Sequence, residues 1–166
     1  MNRRARQRAQ TRPVYANAIE RAITGAAKLP TEDVQRTTRG MLVALQEFAA
    51  GRYCREHWAS MADATNVALE LCTLGICSDE ASRQLLDDAQ QVLGDVAVRA
   101  QQRGTWTLHA RELEQLREAL QRHGIQLGFC SLSEYERAVE AVRRKHAQYA
   151  AGNAPKDAIV ITGALA

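Results

Sequence analysis

Aromatic side chains are scarce in this chain, where phenylalanine, tyrosine and tryptophan together make up 5% of 166 residues. They are Tyr15, Phe48, Tyr53, Trp58, Trp106, Phe129, Tyr135 and Tyr149. The core must therefore be built mainly from Leu, Ala and Val, which is the palette of packed helices. Also missing is any apolar run near the roughly 20 residues that a membrane-spanning helix requires. The N-terminus carries arginines where a secretory leader would carry an apolar stretch. These absences set the expectation of a cytoplasmic protein with no membrane partner. In a reducing compartment Cys54, Cys72, Cys77 and Cys130 are expected as free, mostly buried thiols. No glycine-rich phosphate loop and no internal repeat is present, so the sequence implies no cofactor.

Acidic residues are absent from the first twelve positions, which hold Arg3, Arg4, Arg6, Arg8 and Arg12. The formal net charge of +3 thus divides into +5 on this segment and −2 on the remainder. A segment with five like charges and no apolar stripe has nothing to bury, so residues 1–12 read as a flexible arm. Its charge suits nucleic acid or an acidic partner, or only a solvating role.

The rest of the chain is rich in helical periodicity. Pro13 suits a first helical turn, and Val14, Tyr15, Ala18, Ile19, Ala22, Ile23 and Ala26 form an apolar stripe that stops near Leu29-Pro30. Thr31 is placed to cap a second helix, with Glu32 and Asp33 at the positive dipole end and Gly51 as its stop. Its inward stripe reads Val34, Thr38, Met41, Leu42, Leu45, Phe48 and Ala49. A third helix from about Tyr53 to Leu74 turns Cys54, Trp58, Met61, Thr65, Ala68, Leu69 and Cys72 to one side and ends at Gly75. Ser78 then opens a long fourth helix, with Leu85, Leu86, Ala89, Val92, Leu93 and Val96 inward, which stops at Gly104. A fifth runs from Thr107 to His123-Gly124, and the capping box Ser131-Leu132-Ser133-Glu134 launches a sixth. The expected fold is all-α: a bundle of about six helices over residues 13–150, with helices three and four as a long central hairpin. Residues 151–166 form a short non-helical tail whose run Ala158-Ile159-Val160-Ile161 is expected to dock, and a homodimer is expected.

Candidate chemistry is thin. Cys54-x-x-His57 with Cys72 and Cys77 supplies zinc-type ligands, but Cys54 and Cys72 stand about 27 Å apart along one unbroken helix, so no metal site is expected. His57, His109, His123 and His146 fall on different helices with no nucleophile or carboxylate at a motif spacing. His123 before Gly124 is placed to complement a helix C-terminus, and His146 to sit at an interface. The expectation is that the protein is not an enzyme, with an enzyme of unrecognised type as an alternative. Arg143, Arg144 and Lys145 form a basic cluster that also suits the negative end of the sixth helix.

Residues 74–85, Leu74-Gly75-Ile76-Cys77-Ser78-Asp79-Glu80-Ala81-Ser82-Arg83-Gln84-Leu85, resemble the turn and recognition helix of bacterial helix-turn-helix repressors. That resemblance implies a DNA-binding regulator whose Ser-Arg region, including Arg83, faces DNA. Leu71, Ala81 and the acids Asp79 and Glu80 depart from that pattern, and an ordinary helical hairpin fits the same residues. Over residues 60–142, Asn66-Val67-Ala68-Leu69-Glu70, Leu74-Gly75-Ile76, Leu113 to Leu120, His123 and Ser131 to Ala138 look similar to small helical proteins of proteobacterial phages and prophages. This second resemblance implies a mobile-element protein that binds a host protein or nucleoprotein complex. Anti-defence action, such as anti-CRISPR-type inhibition, is among the tasks it implies. The candidate contact residues are Arg3, Arg4, Arg6, Arg8, Arg12, Arg83, Arg143, Arg144 and Lys145, with nucleic acid reached through the arm.

Overall fold

A computed structural model of the chain describes residues 18–153, with side chains described from Ala22 onward. The Arg-rich segment and the apolar run of the tail lie outside the described residues. Six helices follow in order: α1 (Ala18–Ala26), α2 (Thr31–Ala49), α3 (Arg55–Thr73), α4 (Glu80–Arg103), α5 (Ala110–Phe129) and α6 (Leu132–Ala150). No strand is present among the described residues, where the only bridge pairs Lys28 with Ser131.

The bundle is organised around α3, which packs against α2, α4, α5 and α6. Its buried residues cover most of the helix surface: Trp58, Ala59, Met61, Ala62, Ala64, Thr65, Val67, Ala68, Leu71 and Cys72. A helix buried over most of its circumference carries no narrow apolar stripe; the side of Asp63, Asn66 and Glu70 stays half-buried, and alanines let four neighbours approach. α4 lies alongside it as the second arm of the expected long hairpin. The Trp58 indole N–H donates to the Leu93 carbonyl at 2.9 Å, and Gln90 donates to Asn66 at 2.9 Å. Those contacts fix the two helices as antiparallel. No described helix is long and apolar enough to cross a membrane.

Several boundaries differ from the sequence reading. α1 ends at Ala26, and residues 27–30 form a connection in which Leu132 N–H donates to the Ala27 carbonyl at 2.8 Å. Thr31 is the first helical residue of α2, and Pro30 holds the cap position without any side-chain bond. Leu42 sits 42% exposed, because the buried stripe runs Met41, Ala44, Leu45 and Phe48, and a one-residue step turns Leu42 by about 100° towards solvent. The cap of α4 is Asp79 in place of Ser78: its carboxylate accepts from Ser82 N–H at 2.9 Å and from the Ser82 hydroxyl at 2.6 Å.

The largest correction concerns α5, which starts at Ala110 and runs straight through His123-Gly124 to Phe129. Glycine in a helix costs about 1 kcal/mol but does not end it. The buried stripe of Leu116, Leu120, His123 and Leu127 continues past that point, so tertiary packing carries the helix on. Gly124 faces α2, where an added Cβ would sit 3.7 Å from Thr38 Cγ2.

Gly40 gives a direct test of the local assignments. It is a helical, exposed residue with no atom within 4 Å of where a Cβ would stand. Gly40→Ala should therefore stabilise the protein by about 0.5–1 kcal/mol. Gly75, at φ +89, forms the α3 terminus with Ile76 N–H bonded to Leu71 O at 2.9 Å and Gly75 N–H to Cys72 O at 3.0 Å. Gly75→Ala should cost about 1 kcal/mol or more, since a Cβ in that conformation meets its own backbone. Urea titrations giving the same sign for both changes would show one of these conformations to be misassigned.

Candidate functional site

The nine cationic candidates divide sharply. Arg3, Arg4, Arg6, Arg8 and Arg12 lie outside the described residues. Arg143 and Arg144 stand exposed on α6, and Lys145 beside them reaches across to form an ion pair with Glu70 on α3. The cluster lies one to two turns before the helix end, so Lys145 ties α6 to α3 and not to its own terminal carbonyls. Arg83 is half-buried on α4, and the residue before it, Ser82, is fully buried with its hydroxyl held by Asp79. A Ser-Arg pair facing DNA would need Ser82 on the surface. The second helix of a helix-turn-helix crosses the first at about 90–120°, whereas α3 and α4 are joined well beyond their turn, at Asn66 with Gln90 and at Trp58 with Leu93.

The thiols and imidazoles do not gather into a metal-ligand set among the described residues. Cys54 caps the start of α3 and Cys72 lies in its last turn, with the helix unbroken between them. Among the described residues no three His, Cys, Asp or Glu side chains converge on one point. His109 is exposed at the cap of α5, His57 and His146 are half-buried, and His123 is buried in mid-helix. His123 therefore does not complement a helix end. Burial pushes its pKa down to about 4, against a smaller upward pull from Gln126.

Around His123 lies a polar node that carried no sequence signal. Gln126, fully buried, donates from Nε2 to the carbonyls of Ala68 at 3.2 Å and Ile76 at 3.1 Å, and to Cys72 Sγ at 3.2 Å. Its Oε1 lies 3.3 Å from His123 Nδ1. Because the amide oxygen can only accept, Nδ1 carries the proton in this arrangement. The node ties α5 to the end of α3 and to the α3–α4 turn, across 50 and 58 residues of sequence.

The other perturbed groups also hold elements together. Arg99 of α4 grips Glu112 of α5 through two bonds of 2.8 and 2.7 Å, and Glu112 accepts from His109 N–H at 2.7 Å. Burial alone would raise the Glu112 pKa, but these donors hold it below the ordinary carboxylate value. Hydrogen bonds from the Ser131 N–H and hydroxyl likewise lower Glu134 in the α6 capping box, and bonds from Ser82 lower Asp79. The Cys130 thiol is pushed up to about 11 by burial, with Glu134 adding to the effect.

Among the exposed large apolar side chains, which also include Ile23, Leu42, Val43 and Val98, one pair is aligned on α5. Ile125 and Phe129 stand one turn apart on the outer face of α5, 48% and 65% exposed, beside exposed Gly128 with open space around it. Lys28 Nζ lies 5.9 Å from the Phe129 ring centroid, a cation–π contact at the edge of the strip. The sequence reading missed this strip because it ended the helix at Gly124; carried to residue 129, the i, i+4 spacing of Ile125 and Phe129 shows it. No family profile, no curated protein and no solved structure matches the chain.

Proposed function

We propose that this chain is a non-enzymatic interaction protein that binds a host protein or nucleoprotein complex through its surface. The observation that carries this reading is the pair Ile125 and Phe129, large apolar side chains held in water on an otherwise polar helix face. Isolated exposed apolar residues are ordinary, but two on adjacent turns beside a bare glycine make a surface that a partner can cover. The perturbed groups described above support the same reading, because capping, ion pairing or burial accounts for each shift without a reacting group. A phage or mobile-element origin, with anti-defence as the task, rests on the resemblance of residues 60–142.

The arginines of residues 3–12 supply the electrostatic part of the proposed contact. Capture from a bacterial lysate, followed by reconstitution with the purified candidate, should give a defined stoichiometry with the native chain. Phe129→Glu should lose it while keeping the native melting temperature. Retention of the same partner by Phe129→Glu would sink the α5 strip as the contact. A salt titration of the reconstituted pair then identifies the partner class. Five phosphate contacts from the arm would give a logarithmic slope of about −0.9 per contact on duplex DNA, and neutralising the arginines should flatten it. An acidic protein groove should give a shallower dependence.

A further inference from the structure

We infer that Cys72 and Cys77 form a redox pair, which a small-molecule disulfide such as oxidised glutathione closes into an intramolecular bridge across the α3–α4 turn. The pair is set up by the fold. Cys72 occupies the last turn of α3, and its Sγ donates to the carbonyl oxygen of Cys77 at 3.4 Å. Adding the fixed lengths of the carbonyl and Cα–C bonds places Sγ no more than about 6 Å from Cα of Cys77. Cys72 Sγ therefore stands within reach of the Cα that carries the Cys77 thiol, and forming an S–S bond of about 2.05 Å requires rotation of the Cys77 side chain with a local movement of residue 77.

That movement is available where it is needed. Cys77 is the one non-glycine residue with positive φ among the described residues, at +48. A side chain in that region carries a backbone penalty of about 1–2 kcal/mol, so leaving the conformation costs little. Cys77 lies between the Gly75 terminus of α3 and the Asp79 cap of α4, in the short connection that belongs to neither helix. The other two thiols are placed differently. Cys54 is at the opposite end of α3, and Cys130 is buried, with its Sγ 3.7 Å from its own helix carbonyl at Leu127.

The chemistry divides the two roles by exposure. The half-exposed Cys77 attacks one sulfur of glutathione disulfide, and the expelled glutathione thiolate takes up the proton that Cys77 gives off. The buried Cys72 thiol then attacks the Cys77 sulfur, expelling the second glutathione, which takes the Cys72 proton. Two electrons pass from the cysteine pair to one glutathione disulfide, leaving two reduced glutathiones. The bridge draws Cys72 Sγ away from the Gln126 amide, which bonds it in the reduced form. Oxidation is thereby reported to α5 through the buried node.

The test is oxidation of the full native chain with glutathione disulfide, alkylation of the remaining thiols after unfolding in urea, so that buried thiols also react, and tryptic mapping without reduction. Cys72 and Cys77 share one peptide, since no Lys or Arg separates Arg55 from Arg83. That peptide should lose two hydrogens and resist alkylation at both cysteines, whereas Cys54 and Cys130 should remain alkylatable. The side-chain amide signals of Gln126 should shift on oxidation and return with reductant. Cys77→Ser, altering the more exposed residue, should keep the fold and abolish both changes. A stable glutathione adduct at Cys77, a bridge involving Cys54 or Cys130, or equally rapid closure in the urea-unfolded chain would each overturn the inference.

Discussion

Acidification from pH 7 to pH 5 should destabilise the native protein by about 2 kcal/mol through His123 alone, rising to about 3 kcal/mol near pH 4. His123 is 1% exposed, and burial lowers its pKa to about 4, whereas the unfolded chain presents an ordinary imidazole. Between these two values the unfolded state binds the proton and the folded state refuses it. The stabilisation is therefore complete above about pH 6.5, is lost as the pH falls, and levels off once the folded imidazole also protonates. His146 acts in the same direction, its pKa lowered by partial burial. Asp79, Glu112 and Glu134 also have lowered values, but the contribution of such carboxylates is lost only below their unfolded values near pH 4.

That separation makes the assignment testable by urea titrations at half-unit intervals from pH 7 to 4.5. His123→Leu should be less stable at neutral pH, since it leaves the Gln126 oxygen without its donor. Its stability should nevertheless change much less between pH 6.5 and 5 than that of the native chain. A native-like slope in the variant would move the titrating group elsewhere, His146 first. The same node connects Gln126 to Cys72, so the titration is best run in reductant.

What the sequence made legible, and what it hid, follows the distance over which each residue finds its partner. The capping box of α6 was readable because Ser131 and Glu134 satisfy each other within one turn, and the structure shows both halves of it. Gly51, Gly75 and Gly104 were readable as helix ends for the same local reason, and all three have positive φ. Ser78 and Asp79 are both good caps in isolation; Asp79 holds the position because its carboxylate can reach the buried Ser82. His123-Gly124 carried a stop signal that packing overrode, because Leu127 continues the buried stripe and Gly124 lies against Thr38 of α2. Gln126, Arg99 with Glu112, and Lys145 with Glu70 were hidden outright. Their partners lie on other helices, and a polar residue on a helix reads as a solvated one until the fold is known. The arginine arm was legible as charge, but no contact of the described residues bears on it.

Trp58→Ala should destabilise the protein by about 3–5 kcal/mol, the largest loss expected from any single side chain here. Trp58 is 4% exposed between α3 and α4, stacked at a tilt on Trp106 with centroids 5.3 Å apart, and its indole N–H is bonded to the Leu93 carbonyl. Truncation removes the apolar volume and the hydrogen bond together. Trp58→Phe separates them, keeping most of the volume and losing the donor, and should cost about 1–2 kcal/mol. The helical phase of α4 decides a second comparison. The sequence placed Leu85 and Leu86 together on the buried face, but only Leu86 is fully buried and Leu85 is half-exposed at the margin of the core. Leu86→Ala should therefore cost about 2–5 kcal/mol, and Leu85→Ala clearly less. Because Leu86 lies seven residues before Leu93, two turns along the same face, it shares the α3-facing side with the carbonyl that holds Trp58. Denaturant midpoints that rank Leu85→Ala as the more damaging change would mean that α4 is rotated about its axis, and the bond from Trp58 to Leu93 could not then stand.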